Sequence, residues 1–207
     1  EIVILMGPKG AGKSTLLRAL FGLTAHQQGE IHLEGVRINP KPSRMVQSGV
    51  SFVPQGNTIF ASMSIEENLK MGAFLEDNPE VAAERFSEVY RFFPMLHRKR
   101  THRAGAMSGG ERQILALGRT LMSRPKLLML DEPSIGLAPK IVSEIFDKIQ
   151  AINREFGTAV VIVEHNLKSL LKIAARGYIL VGGKIMTEGP VKEISHSKVL
   201  EKAFFGE

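Results

Sequence analysis

Short, largely apolar runs recur at positions 2–6, 50–53, 127–130, 159–163 and 178–181, each four or five residues long and bounded by glycine, proline, threonine or charged residues. Runs this short, without strict alternation, predict strands buried on both faces. Between them the period changes. Segments 111–122, 141–156 and 166–174 place apolar residues three and four apart, as does the short stretch 16–20, which predicts amphipathic helices. The order is strand then helix, repeated, so the pattern predicts one α/β domain over 1–207: a parallel sheet flanked by helices, with ligands at the carboxyl ends of its strands. From about 60 to 105 the character is helical only, with helices at 64–71 and 79–93, Asn78-Pro79 as a start signal and Phe93-Pro94 as a stop. This segment is expected to be a small helical subdomain inserted in the core. Segments 29–35 and 183–189 alternate between glycines and predict short peripheral antiparallel strands.

Composition narrows the class. There is no cysteine among the 207 residues, which excludes disulfides, thiolate metal sites and a cysteine nucleophile. No run approaches the ~18 apolar residues of a membrane span, and the first residues lack a signal peptide's basic start, so the chain is expected to be soluble and not secreted. The formal charge is +6, much of it in His97-Arg98-Lys99-Arg100-Thr101-His102-Arg103. That run fits a solvated face or a contact with a partner protein or lipid headgroups. It has no interleaved aromatic platform for single-stranded nucleic acid, and no nucleic-acid partner is expected.

Two motifs carry chemistry. Gly7, Pro8, Lys9, Gly10, Ala11, Gly12, Lys13, Ser14 and Thr15 fit G-x-x-x-x-G-K-[ST] between a strand and a helix, the setting in which the glycines let successive N–H groups curl around a polyphosphate. Lys13 supplies charge to the β and γ phosphates and the Ser14 hydroxyl can bind Mg²⁺. In 127–132 four apolar residues end in Asp131 and Glu132. A strand end is where carboxylates can meet that pocket, Asp131 to hold Mg²⁺ and Glu132 to orient and deprotonate an attacking water.

With Ser108-Gly109-Gly110-Glu111-Arg112-Gln113 between these two motifs, the chain resembles the nucleotide-binding subunit of ABC (ATP-binding cassette) transporters over nearly its whole length. That hexapeptide resembles the family signature, Gln55 in Phe52-Val53-Pro54-Gln55 the Q-loop, 134–138 the D-loop, and His165 after Val163-Glu164 the switch histidine. The resemblance implies a P-loop NTPase core, ATP and Mg²⁺ as ligands, and a head-to-tail pair of cassettes in which Ser108, Gly109 and Gly110 of one close on the γ-phosphate held by the other. A helix N-terminus has the free N–H groups for that task. It implies further that His165 reaches the γ-phosphate, that Gln55 binds Mg²⁺ or the attacking water, and that the partners are a second cassette and membrane-spanning permease subunits at the cytoplasmic face.

Asp131-Glu132-Pro133-Ser134-Ile135-Gly136-Leu137-Ala138-Pro139 and Ser64-Ile65-Glu66-Glu67-Asn68-Leu69 resemble the importer subunits for branched-chain amino acids and related amides. The rival reading is a cassette ATPase of translation or DNA repair, but the 52 residues between Gln55 and Ser108 leave no room for a long coiled coil. Six residues precede Gly7, where family members usually carry about two further strands and an adenine-stacking aromatic. Those amino-terminal strands are expected to be missing, with a sheet edge or apolar face exposed and MgATP held about 10 to 100-fold more weakly.

Overall fold

The computed structural model describes residues 1–26, 28–56, 59–165, 167–197 and 200, with the side chains of 167–169 outside that description. Its strands are β1 (Ile2–Met6), β2 (Ile31–Leu33), β3 (Val36–Ile38), β4 (Val50–Val53), β5 (Leu127–Asp131), β6 (Ala159–Val163), β7 (Arg176–Val181) and β8 (Lys184–Pro190). The helices are α1 (Lys13–Phe21), α2 (Pro42–Gln47), α3 (Ile65–Gly72), α4 (Pro79–Phe92), α5 (Pro94–Arg98), α6 (Gly109–Leu121), α7 (Pro139–Phe156), α8 (Leu167–Ile173) and α9 (Val191–Ile194).

One six-stranded sheet has the order β4-β5-β6-β1-β7-β8. Its first five strands are parallel, and β8 pairs antiparallel with β7. Alternate residues feed two cores, as the pleat requires. Ile4, Met6, Leu128, Leu130 and Ile162 pack on the α6–α7 side, while Leu5, Met129, Val163 and Leu180 pack with Leu17 and Phe21 of α1 and Met45 of α2. Burial of both faces is why these strands read as nearly uniform apolar runs.

The structure adjusts several expectations. The 29–35 segment holds the expected peripheral antiparallel strand in shorter form: β2 spans Ile31–Leu33 and pairs with β3, and Glu34 and Gly35 form the turn between them, both at positive φ (51° and 80°). Pro94 ends α4 but also opens α5, since proline fits the first turn, where no N–H is needed. For the same reason α7 starts at Pro139. The short α2 and α9 carry too few residues to show a period. β1 lies inside the sheet between β6 and β7, and the sheet's edges are β4 and β8. Asn166, the expected start of the helix ending near 174, lies outside the described residues.

Helices α3, α4 and α5 stand between β4 and α6 in the chain and pack back on α6 through two glycines. A methyl group on Gly72 would lie 2.1 Å from the Arg119 carbonyl oxygen, and one on Gly118 would lie 2.7 Å from Leu96. Both are below any real contact, so the bare Gly72 sets the α3–α6 spacing, and Gly118 leaves room on α6 for Leu96 of α5. Gly72→Ala therefore forces the backbones apart and is expected to destabilise the protein by about 1–3 kcal/mol. Urea unfolding measures this; an unchanged midpoint would mean that the helices separate at no cost.

Candidate functional site

The loop after β1 turns on glycines at φ 150° (Gly7), 82° (Gly10) and 96° (Gly12). Gly7 has a second reason to lack a side chain, because a Cβ there would sit 2.0 Å from the Leu180 carbonyl oxygen of β7. The loop is tied further by Ala11 N–H donating to Pro8 O (3.2 Å) and Gly183 N–H donating to Ala11 O (3.1 Å). Gly12 caps α1 in the left-handed region, aiming the helix N-terminus into the loop. Lys13 is buried and folds over the loop, its Nζ donating to Gly7 O (2.8 Å) and Pro8 O (2.9 Å). Burial holds its pKa below the usual lysine value, partly offset by Glu132 and Asp131.

At the end of β5, Asp131 accepts a hydrogen bond from Ser14 Oγ (2.9 Å). Burial raises the Asp131 carboxyl above the usual range, the Ser14 bond opposing it in part. Glu132 follows in the left-handed region (φ 48°), uncommon for a residue with a side chain. Its N–H donates to Val163 O of β6 (2.8 Å), and both carboxylate oxygens are engaged: Oε2 accepts from Gln55 Nε2 (2.9 Å), and Oε1 meets His165 Nε2 (2.9 Å). Glu164, beside it and buried, accepts from Ser134 N–H and Oγ and from His165 N–H. That carboxylate ties the loop after β5 to the end of β6. The sequence singled out its neighbour His165 instead; four apolar residues followed by an acid were a signal at β5, and the same signal recurs at the end of β6.

Lys9, Gly10, Gly12, Lys13, Ser14, Thr15, Gln55, Glu132, Ile135 and His165 line one cleft of about 450 Å³. Gly7 and Pro8 join it through Lys13, Ala11 through its bond to Pro8, and Asp131 through Ser14. Except for the His165 imidazole, no aromatic ring lines it among the described residues. Tyr90 packs on Phe86 and His97, and Tyr178 lies beside Arg176.

Ser108, Gly109 and Gly110 are not brought into this cleft. Gly109 lines a neighbouring groove with Arg112, Gln113 and the 135–137 loop, which meets the cleft only at Glu132 and Ile135. Ser108 caps α6: its Oγ accepts from Glu111 N–H (3.3 Å) while its N–H donates to Glu111 (2.9 Å). This reciprocal capping box was legible as Ser-x-x-Glu but not singled out. Glu111 also accepts from Lys99, and its carboxyl is held below the usual range by the Lys99 hydrogen bond first, then by Ser108.

A glycine-rich loop feeding a helix, a lysine and serine at its start, and a carboxylate at the adjacent strand end define a P-loop nucleoside-triphosphatase. The comparisons agree. The sequence profile of the family described as "ABC transporter" matches residues 1–135, and the chain belongs to that family as its ATP-binding, ATP-hydrolysing component. It is 42% identical over its whole length to the high-affinity branched-chain amino acid transport ATP-binding protein BraG of Pseudomonas aeruginosa, spanning 88% of that relative. It is 34% identical to the lipopolysaccharide export system ATP-binding protein LptB of Haemophilus influenzae, covering 100% of this chain and 86% of that one. Among solved structures it matches the ADP conformation of MJ1267, an ATP-binding cassette of an ABC transporter (TM-score 0.88, 26% identity, 100% of this chain and 88% of that one). It also matches the dimeric post-hydrolysis state of the cassette MJ0796 with ADP and Pi (TM-score 0.80, 25% identity, 92% and 85%).

The direction of the Asp131 shift gives a test. A carboxyl raised in the fold binds more protons folded than unfolded, so its stability contribution falls as pH rises from the unfolded value of about 3.9 through its own pKa. At neutral pH its charge is a cost. Asp131→Asn, which can still accept from Ser14, is expected to raise the thermal midpoint without nucleotide and to reduce the further rise on adding MgATP. Thermal unfolding with and without MgATP measures both; a lowered nucleotide-free midpoint would mean that attraction to Lys13 outweighs burial.

Proposed function

We propose that this chain is the motor subunit of an importer for branched-chain amino acids or a related amide, working as a pair of cassettes on membrane-spanning permease subunits at the cytoplasmic face. The observation that carries the ATPase part is the Glu132 carboxylate, gripped by Gln55 and His165 at the mouth of the P-loop cleft. The solute assignment is supported by the identity to BraG, while LptB's place among the relatives shows that similar cassettes serve other cargoes. Residues 60–105 act as the helical subdomain of a single domain.

The phosphates of ATP lie against the N–H groups of 7–15, and Lys13 exchanges the Gly7 and Pro8 carbonyls for the β and γ phosphates. Mg²⁺ fits the residues present: the Ser14 hydroxyl and Asp131 carboxylate are a hard-oxygen pair 2.9 Å apart, and a dication would offset the burial that raises Asp131. No cluster of three acidic or histidine ligands exists among the described residues. A metal held by one or two protein groups, phosphates and water needs no such cluster, and Gln55 lines the same cleft as Ser14. When bound it neutralises charge developing between the β and γ phosphates. Glu132 accepts the proton of the attacking water, His165 steadies Glu132 and the γ-phosphate, and Gln55 senses the change. Because Ser108, Gly109 and Gly110 open away from the chain's own cleft, they complete the site of the second cassette; the dimeric state of MJ0796 supports that arrangement.

Glu132→Gln keeps the grip but cannot take up a proton. It is expected to lower turnover by at least about 100-fold and to sediment as a dimer in MgATP, and a hydrolysing or persistently monomeric variant would refute this reading.

For the permease, no described helix is long and apolar enough to cross a membrane, so docking must use a surface. Phe21, Val46, Phe52, Met71, Phe74 and Arg119 line a groove where α3 meets the core, and Phe74 is 64% exposed. This groove is where the membrane subunits are proposed to make contact. Phe74→Asp is expected to leave nucleotide turnover within about twofold and to cut co-purification with the membrane subunits at least about tenfold. Undiminished co-purification would put the contact elsewhere.

A further inference from the structure

We infer that Lys99 is a positioning residue for the composite site: by neutralising the capping carboxylate of Glu111, it keeps the N-terminus of α6 receptive to a phosphate. This rests on the reading that α6 closes on nucleotide held by a second cassette.

The capping box creates a conflict. Its reciprocal bonds occupy the N–H groups of Ser108 and Glu111, leaving Gly109 and Gly110 N–H as the open donors of the first turn. The same box sets a carboxylate at the helix end that must accept a polyanion. A free N-terminus favours negative charge, but an uncompensated Glu111 would already supply it. Lys99 removes the conflict: its Nζ donates to Glu111 Oε1 while Oε2 serves Ser108 N–H, so both functions of the carboxylate are met and its charge is balanced. The pair is half-buried, with side-chain exposures of 45% for Lys99 and 25% for Glu111, so solvent screens it only in part.

The lysine is held from behind. His102 N–H donates to Lys99 O, and the strip after it is bonded to the start of α3: Ile65 N–H to His102 O, Glu66 N–H to Arg100 O, and Ala104 N–H to Met63 O. Lys99 is thus fixed to the helical segment, while Glu111 belongs to α6. The charge state presented by α6 therefore depends on where α3 to α5 sit. Within the basic run 97–103, this gives Lys99 a task apart from solvation. Arg100 instead pairs with Glu66.

The test uses the full chain carrying Glu132→Gln and measures MgATP-dependent dimerisation by sedimentation. Lys99→Met is expected to weaken the dimer about three to tenfold, Lys99→Arg to restore it to within about twofold, and Lys99→Met with Glu111→Gln to restore it as well, since glutamine caps without charge. Fluorescent-ATP binding to the monomer should be unchanged in all three, because the P-loop cleft is untouched. A Lys99→Met dimer as tight as its parent, or a defect that Glu111→Gln fails to repair, overturns the inference. A parent that never dimerises overturns instead the composite-site reading beneath it.

Discussion

Three adjacent parallel strands end at one carboxylate, and the site depends on that convergence. Glu132 follows β5, Gln55 follows β4 and His165 follows β6, and the sheet order β4-β5-β6 puts their termini side by side. Register makes the contact possible: Val53 pairs with Leu130 and Asp131 with Val163, so the residues just past each strand arrive at the same level. A one-residue slip in either pairing would turn the strand's apolar residues to the wrong core and carry Gln55 or His165 away from Glu132. The hydrophobic alternation that feeds the two cores and the geometry at Glu132 are thus one constraint. The Glu132 N–H to Val163 O bond continues the β5–β6 ladder one residue beyond Asp131, and the left-handed turn there brings the side chain back across the cleft.

The phosphate loop obeys a similar constraint from the other side. Its backbone runs so close to β7 that only glycine fits at position 7, and Gly183 from the β7–β8 turn bonds Ala11. The loop is held by the sheet that bears it, and helix α1 then starts in a fixed direction. A loop held in this way is preorganised for the phosphate proposed to bind it, and Lys13 is the side chain that would exchange partners, leaving the Gly7 and Pro8 carbonyls.

What the sequence revealed follows from where the determinants lie. The strands at 2–6, 50–53 and 159–163 were legible to the residue, because burial on both faces leaves an apolar run with sharp ends. The loop from Gly7 to Thr15 was legible because its motif fixes both residue type and spacing, and the structure gathers most of it at one cleft. Helices of four to six residues such as α2, α5 and α9 were not, since they complete barely a turn and show no period. Strand β2 reads past its end in the sequence because Glu34 takes a left-handed conformation more often given to glycine or asparagine. The partners of Glu111 and Glu164 were hidden for a different reason. A capping motif shows in four residues, but a lysine twelve positions away or a serine thirty positions away is brought near only by tertiary packing.

Burial at the cleft keeps two of its charges away from their electrostatic optimum. The Lys13 ammonium and the Asp131 carboxylate both have pKa values displaced toward the neutral form, each chiefly by desolvation. For the lysine, stability is gained as pH rises from its lowered pKa toward the unfolded value; for the aspartate, stability is lost as pH rises from the unfolded value toward its raised one. At neutral pH both charges are therefore carried at a cost, although they attract each other. In the proposed function a polyphosphate would give Lys13 a stronger partner than two carbonyls, and a divalent cation would give Asp131 one stronger than a hydroxyl. Ligand binding would then stabilise the fold by more than its own contacts imply, because it would remove two standing penalties. This also gives a physical reason for Gln55 and His165 to grip Glu132. Without nucleotide, a third acidic group in the same cleft is kept hydrogen-bonded on both oxygens, which prevents an unpaired carboxylate from adding to those penalties.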